Sequence, residues 1–164
     1  MKTKQQQHPF NILLADDDTD DCYFFKVALE ELMLSTNLTT VQDGEQLMKL
    51  LTKETSGLPD VLFLDLNMPR KNGFECLSEI KLNKRLKPLS VIIFSTSFEH
   101  EVVNLLFENG ALYFIRKPSE FSKFKQIIQQ TVILIAQGLH SGQTENILQP
   151  TRENFVLEVQ KVVI

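Results

Sequence analysis

Two unbroken apolar runs, Val61-Leu62-Phe63-Leu64 and Val91-Ile92-Ile93-Phe94, most constrain what this chain can fold into. A strand with one face in water alternates apolar and polar residues. A continuous run therefore marks a strand covered on both faces. Helices supply such cover, and a helical pattern follows each run. After the first, Gly73 opens a segment with Phe74, Leu77 and Ile80 inward. After the second, Glu99 to Glu108 reads as a helix with Val102, Leu105 and Leu106 toward the core, and Val103 and Phe107 off that stripe.

The same alternation extends in both directions. Phe10 to Ala15 is a run of strand length, and Phe25, Ala28, Leu29 and Leu32 then recur at helical spacing, predicting a helix from Thr19 to Met33. Asp18 or Thr19 can cap it, and Asp20 and Asp21 lie where carboxylates favour the helix dipole. Leu38 to Gln42 reads as a second strand and Glu45 to Lys53 as a second helix. Ala111 to Ile115 and Ser119 to Gln137 complete the series. Five strand-then-helix repeats imply an α/β fold with a doubly wound five-stranded parallel sheet of order 2-1-3-4-5, flavodoxin-like in its winding.

Composition bounds the function. The net charge of -4 argues against a duplex-binding surface, which needs basic residues to neutralise phosphates. No apolar run reaches bilayer-spanning length, and the N-terminal residues lack the apolar core of a secretory signal. Cys22 and Cys76 stand apart, as in a reducing cytoplasm. The scattered His8, His100 and His140 make no zinc-type cluster. The chain divides into a disordered lead (residues 1–9), one domain (10–137) and a polar linker with an apolar tail (138–164). The stretch after Gln137 is too short for a DNA-binding output domain. The tail residues from Phe155 onward are expected to pack on the last helix or on a sheet edge, in this chain or a neighbour's.

In doubly wound sheets function collects beyond the carboxyl ends of the strands. The residues there are Asp16 and Asp17, Asp65, Ser95 and Lys117. Three carboxylates brought together repel by about 4 kcal/mol per close pair at an effective dielectric near 20, so they need a cation, a proton or water. Few carboxylates with room for water suit Mg2+. Taken alone, Asp16 to Asp21 reads equally well as a solvated helix start, Lys117 as a surface lysine and Ser95 as a turn residue. Their joint position is what gives them weight. Pro69 stops strand pairing, and the backbone carbonyl of Asn67 in that bend can serve as a neutral metal ligand. Gly73 suits a tight turn that calls for positive φ.

Leu13 to Asp18, Leu64 to Pro69 with Gly73, Phe94-Ser95-Thr96 and Lys117-Pro118 together resemble the signature set of response-regulator receiver domains, in order and at the usual spacings. The resemblance runs from about Phe10 to Gln137. It implies that Asp17 and Asp65 bind Mg2+ directly, with Asp16 acting mostly through water. It implies further that Asp65 takes a phosphoryl group from a histidine kinase or phosphotransfer protein, and that Ser95 and Lys117 bind the phosphoryl oxygens. Ser95 stands where threonine is commoner. Phe114 stands at the aromatic switch position, which usually carries tyrosine. The implied protein is a cytoplasmic signalling phosphoacceptor rather than an enzyme, with only self-phosphorylation and self-dephosphorylation chemistry. It would contact a downstream protein through the face of the fourth helix, fifth strand and fifth helix, and homodimerisation is left open. Two rival readings are an unphosphorylated receiver-like interaction module and a haloacid-dehalogenase-type phosphatase. The second needs an aspartate two residues after the nucleophile, where this chain has Asn67.

Overall fold

The computed structural model describes residues 8–53, 57–140 and 150–159. Its elements follow in the order β1 (Phe10–Ala15), α1 (Thr19–Glu30), β2 (Thr36–Val41), α2 (Gly44–Thr52), β3 (Val61–Leu64), α3 (Gly73–Leu82), β4 (Val91–Ser95), α4 (His100–Glu108), β5 (Tyr113–Arg116), α5 (Phe121–His140) and β6 (Val156–Leu157). The sheet order is β2-β1-β3-β4-β5-β6, with every pair parallel. The expected order 2-1-3-4-5 is thus present, and the strand count rises from five to six.

β3 and β4 are buried at every residue, as their unbroken apolar runs require. Alternate side chains leave a strand on opposite faces, which divides the core in two. Ile12, Leu14, Phe63, Ile92 and Phe94 pack with Phe25 of α1 and with Ile128 and Val132 of α5. Leu13, Ala15, Leu62, Leu64 and Ile93 pack with residues of α2, α3 and α4, among them Leu47, Leu77 and Leu106. Burying a large aliphatic or aromatic side chain stabilises by about 1.5–3 kcal/mol, so these two layers dominate folding.

The helix starts follow local capping. Asp18 accepts hydrogen bonds from the backbone N–H groups of Asp20 and Asp21 at 2.9 and 3.1 Å, which settles the choice between Asp18 and Thr19. Asp43 and Asn72 cap α2 and α3 in the same way. α1 ends at Glu30, three residues short of expectation. Leu32 still packs on the core, but through a tightened turn in which its N–H donates to Leu29 O, and Met33 lies fully exposed. α4 ends in a left-handed Gly110 at φ 90°, with Gly110 N–H donating to Phe107 O and Ala111 N–H to Leu106 O.

Two sequence expectations need correction. On α4, Val103 and Leu106 are the buried residues, while Leu105 is 46% exposed. The helix is therefore rotated by about one residue, close to 100°, from the expected stripe. Gly73 does not take positive φ; that conformation falls on Arg70, at 69°. Gly73 is required instead by crowding, because a Cβ there would lie 2.1 Å from the backbone oxygen of Asp65. The tail, for its part, adds β6 to the sheet edge. Phe114 N–H donates to Phe155 O at 3.0 Å, and the buried Phe155 ring meets Phe107 edge-on at 5.3 Å. Arg152 pairs with Glu108 beside it. The edge placement expected for the tail is thus found for Phe155 to Leu157. Of the expected disordered lead (1–9) and the expected linker and tail (138–164), residues 1–7, 141–149 and 160–164 lie outside the described residues. α5 runs to His140, three residues past the expected end at Gln137.

Candidate functional site

Backbone pairing carries three strand ends to one crevice. Asp16 N–H donates to Val41 O, Asp65 N–H to Ala15 O and Lys117 N–H to Ser95 O. Asp16 and Asp65 are therefore fixed by their neighbours in the sheet, and both are buried, whereas Asp17 is exposed. Carboxylate oxygens of Asp16, Asp17 and Asp65 lie within 4.8 Å of one another.

Lys117 spans this group. Its Nζ lies 2.7 Å from Asp16 Oδ2, 2.9 Å from Asp21 Oδ2 and 3.8 Å from Asp65 Oδ2. It also stands 5.1 Å from the centre of the Phe94 ring. The other oxygen of Asp16 accepts the N–H of Asp18 at 3.0 Å. Burial pushes the Asp65 carboxyl up to about 7. Lys117 pulls it down, and the charge of Asp16 adds to the rise. Burial likewise raises Asp16, against the hydrogen bond from Lys117. For Lys117, burial alone would lower the ammonium, but the hydrogen bond and charge of Asp16 outweigh it and hold the group above its ordinary value.

Ser95 ends β4 without exposure, and its Oγ accepts the N–H of Ser97 at 3.3 Å. The Asn67 side chain donates to Ser97 Oγ at 3.0 Å, and the Asn67 backbone amide bonds the Asp65 carboxylate. Phe114 is fully buried, with its ring edge-on to Phe98 at 5.8 Å. It lines a cavity with Leu66, Asn67, Phe74, Ser97 and Val102. The sequence reading did not identify Asp21 as a partner of Lys117. The available signal was spacing: Asp17 and Asp21 stand four apart across a helix start, so both can face the same strand ends.

The donor set is oxygen only, the chemistry of a hard divalent cation. Opposite oxygens around a small cation such as Mg2+ stand roughly 4 Å apart, so carboxylates already this close need only small side-chain rotations to share one ion. The exposure of Asp17 leaves space for water. The residues fit such an ion. Cys22 lies beside the pocket with its Sγ 3.6 Å from Asp16 O. Burial pushes its thiol up to about 11, so it stays neutral and unreactive there.

The response regulator receiver domain family matches residues 12–129. This chain belongs to the response-regulator receiver family. Response regulator Rcp1 of Synechocystis is 30% identical over 125 residues, which cover 74% of this chain and 85% of Rcp1. The phosphorylated cyanobacterial phytochrome response regulator RcpA superposes with a TM-score of 0.75 at 28% identity, covering 79% of this chain and 95% of RcpA. The Mn(2+)-bound form of Rcp1 gives 0.71 at 28% identity, covering 87% of this chain and all of that one. This receiver is therefore a module of two-component signal transduction, a family of signalling proteins rather than of enzymes with separate substrates. No described helix is long and apolar enough to cross a membrane.

Proposed function

We propose that this receiver accepts a phosphoryl group on Asp65, from a phosphohistidine of a histidine kinase or phosphotransfer protein, with Mg2+ held by Asp17, Asp65 and the Asn67 carbonyl and, through water, by Asp16. The observation that carries the reading is the buried Asp65 carboxylate with the Lys117 ammonium 3.8 Å away and two further carboxylates beside it. A carboxylate oxygen of Asp65 attacks phosphorus. The O–P bond forms as the P–N bond to the donor imidazole breaks, and the imidazole keeps the electron pair and takes up a proton. Mg2+ supplies charge neutralisation for the phosphoryl oxygens and lets Asp65 react as an anion near neutral pH. Lys117 and the Ser95 hydroxyl donate hydrogen bonds to the phosphoryl oxygens, stabilising charge where it develops.

Read-out passes through Phe114. Its ring already lines the cavity between α4 and the loop carrying Asn67, so a shift of Ser95 toward the phosphoryl group reaches it through neighbouring strand residues. Because β6 pairs along β5, a downstream protein using the α4–β5–α5 face meets α4, β6 and α5 rather than a bare β5 edge. On α4 the exposed Leu105 is the apolar residue available to it. The acidic net charge and the free thiols support a cytoplasmic setting without nucleic-acid contact. Homodimerisation through the same face stays within the proposal.

The reading is tested by incubating the protein with acetyl phosphate. A covalent phosphate that hydroxylamine removes, as it does an acyl phosphate, is expected with Mg2+ and not with EDTA. A protein that takes no phosphate under either condition is the unphosphorylated interaction module instead.

A further inference from the structure

We propose that Asp21 is a positioning residue for Lys117, holding the ammonium in place for the phosphoryl group; this rests on the reading of Asp65 as phosphoacceptor. Lys117 carries its charge on a flexible four-carbon stem, so its position has to be imposed by what it binds. An ammonium has three donors. Asp16 and Asp21 engage two, at 2.7 and 2.9 Å, which leaves one for an incoming oxygen on the Asp65 side.

The two anchors differ in kind. Asp16 belongs to the trio of carboxylates gathered within 4.8 Å, so a divalent cation competes with Lys117 for it. Asp21 lies outside that trio and is the partner Lys117 keeps when a cation arrives. Its own position is secured by the N-terminal turn of α1, where Asp18 caps its backbone N–H at 3.1 Å. The side chain is about one-fifth exposed against 5% for Lys117, so the contact forms at the lip of a nearly dry pocket, where charge-assisted hydrogen bonds are strong. The cap of α1 thus fixes Asp21, and Asp21 fixes Lys117.

Two measurements test this, with Asp20→Asn as the control, since Asp20 is exposed, one residue away and loses the same charge without touching Lys117. In metal-free protein, the NMR signal of the Lys117 ammonium protons is expected to be protected from solvent exchange in wild type and Asp20→Asn. It should be lost in Asp21→Asn and regained in Asp21→Glu. Phosphorylation by acetyl phosphate is expected to slow about tenfold in Asp21→Asn, the worth of one charge-assisted hydrogen bond, and less than about twofold in Asp20→Asn. In a Lys117→Met background, Asp21→Asn is expected to slow the residual reaction no further. Retention of the ammonium signal in Asp21→Asn overturns the proposal. So does labelling of that variant at or above the wild-type rate, or an equal slowing in the Lys117→Met background. If wild type takes no phosphate at all, the phosphoacceptor reading fails, while the NMR comparison still decides whether Asp21 positions Lys117.

Discussion

The Nζ atom of Lys117 lies 2.7 Å from Oδ2 of Asp16, an ion pair between residues 101 positions apart, with side-chain exposures of 5% and 0%. Removing one partner of a buried pair leaves the other uncompensated, at a cost of about 3–5 kcal/mol. Lys117→Met is therefore expected to destabilise the metal-free receiver by about that much, with Mg2+ recovering a large part by neutralising the carboxylates in the folded state alone. Urea unfolding in EDTA and in Mg2+ measures both values. Equal losses in the two solutions would mean that Lys117 does not offset the acidic cluster.

Asp65 gives a pH dependence with a definite sign. Its folded value of about 7 stands above its ordinary 3.8, so between these the folded state holds a proton that the unfolded chain has released. The associated stability is complete below about 4 and is lost as pH rises toward 7, at up to about 1.4 kcal/mol per unit. Metal-free wild type should lose stability relative to Asp65→Asn across this window. Calorimetry of the two from pH 4 to 8 checks this, and parallel curves would contradict it.

Gly73 was expected to supply a turn conformation, but its role is spatial. A Cβ would sit 2.1 Å from the carbonyl oxygen of Asp65, so Gly73→Ala must move the backbone that carries the acceptor. A loss of about 2–3 kcal/mol is expected, together with weaker Mg2+ dependence of the melting temperature. A variant matching wild type on both would show that α3 can retreat freely.

Phe155 closes the sheet edge. Phe155→Ala empties a site against Phe107 and should cost about 3 kcal/mol, with truncation after Gly138 costing at least as much and exposing apolar surface to dye. Denaturant curves and dye fluorescence measure this. If the truncated chain matches the full one in both, β6 is a passive extension.

The legible parts were those with one dominant signal. Val61 to Leu64 and Val91 to Phe94 are continuous apolar runs, and they define the sheet in sequence as in structure. Asp16, Asp17, Asp65 and Lys117 could be placed together because strand ends of a doubly wound sheet share one crevice. The rotation of α4 was not legible. Val102, Val103, Leu105, Leu106 and Phe107 crowd two overlapping stripes, and the choice between them depends on tertiary contacts such as that of Phe107 with Phe155, which is distant in sequence. The two residues of β6 are too few for a period-2 pattern. Asp21 was hidden in a run of acids, where the helix dipole already explains a carboxylate.

The most direct test of the central claim is the intact mass of wild type and Asp65→Asn after incubation with acetyl phosphate, in Mg2+ and in EDTA. One added phosphoryl group is expected in wild type with Mg2+ alone, and none in the other three samples. Phosphorylation of Asp65→Asn to the wild-type level would contradict the assignment of Asp65 as the acceptor.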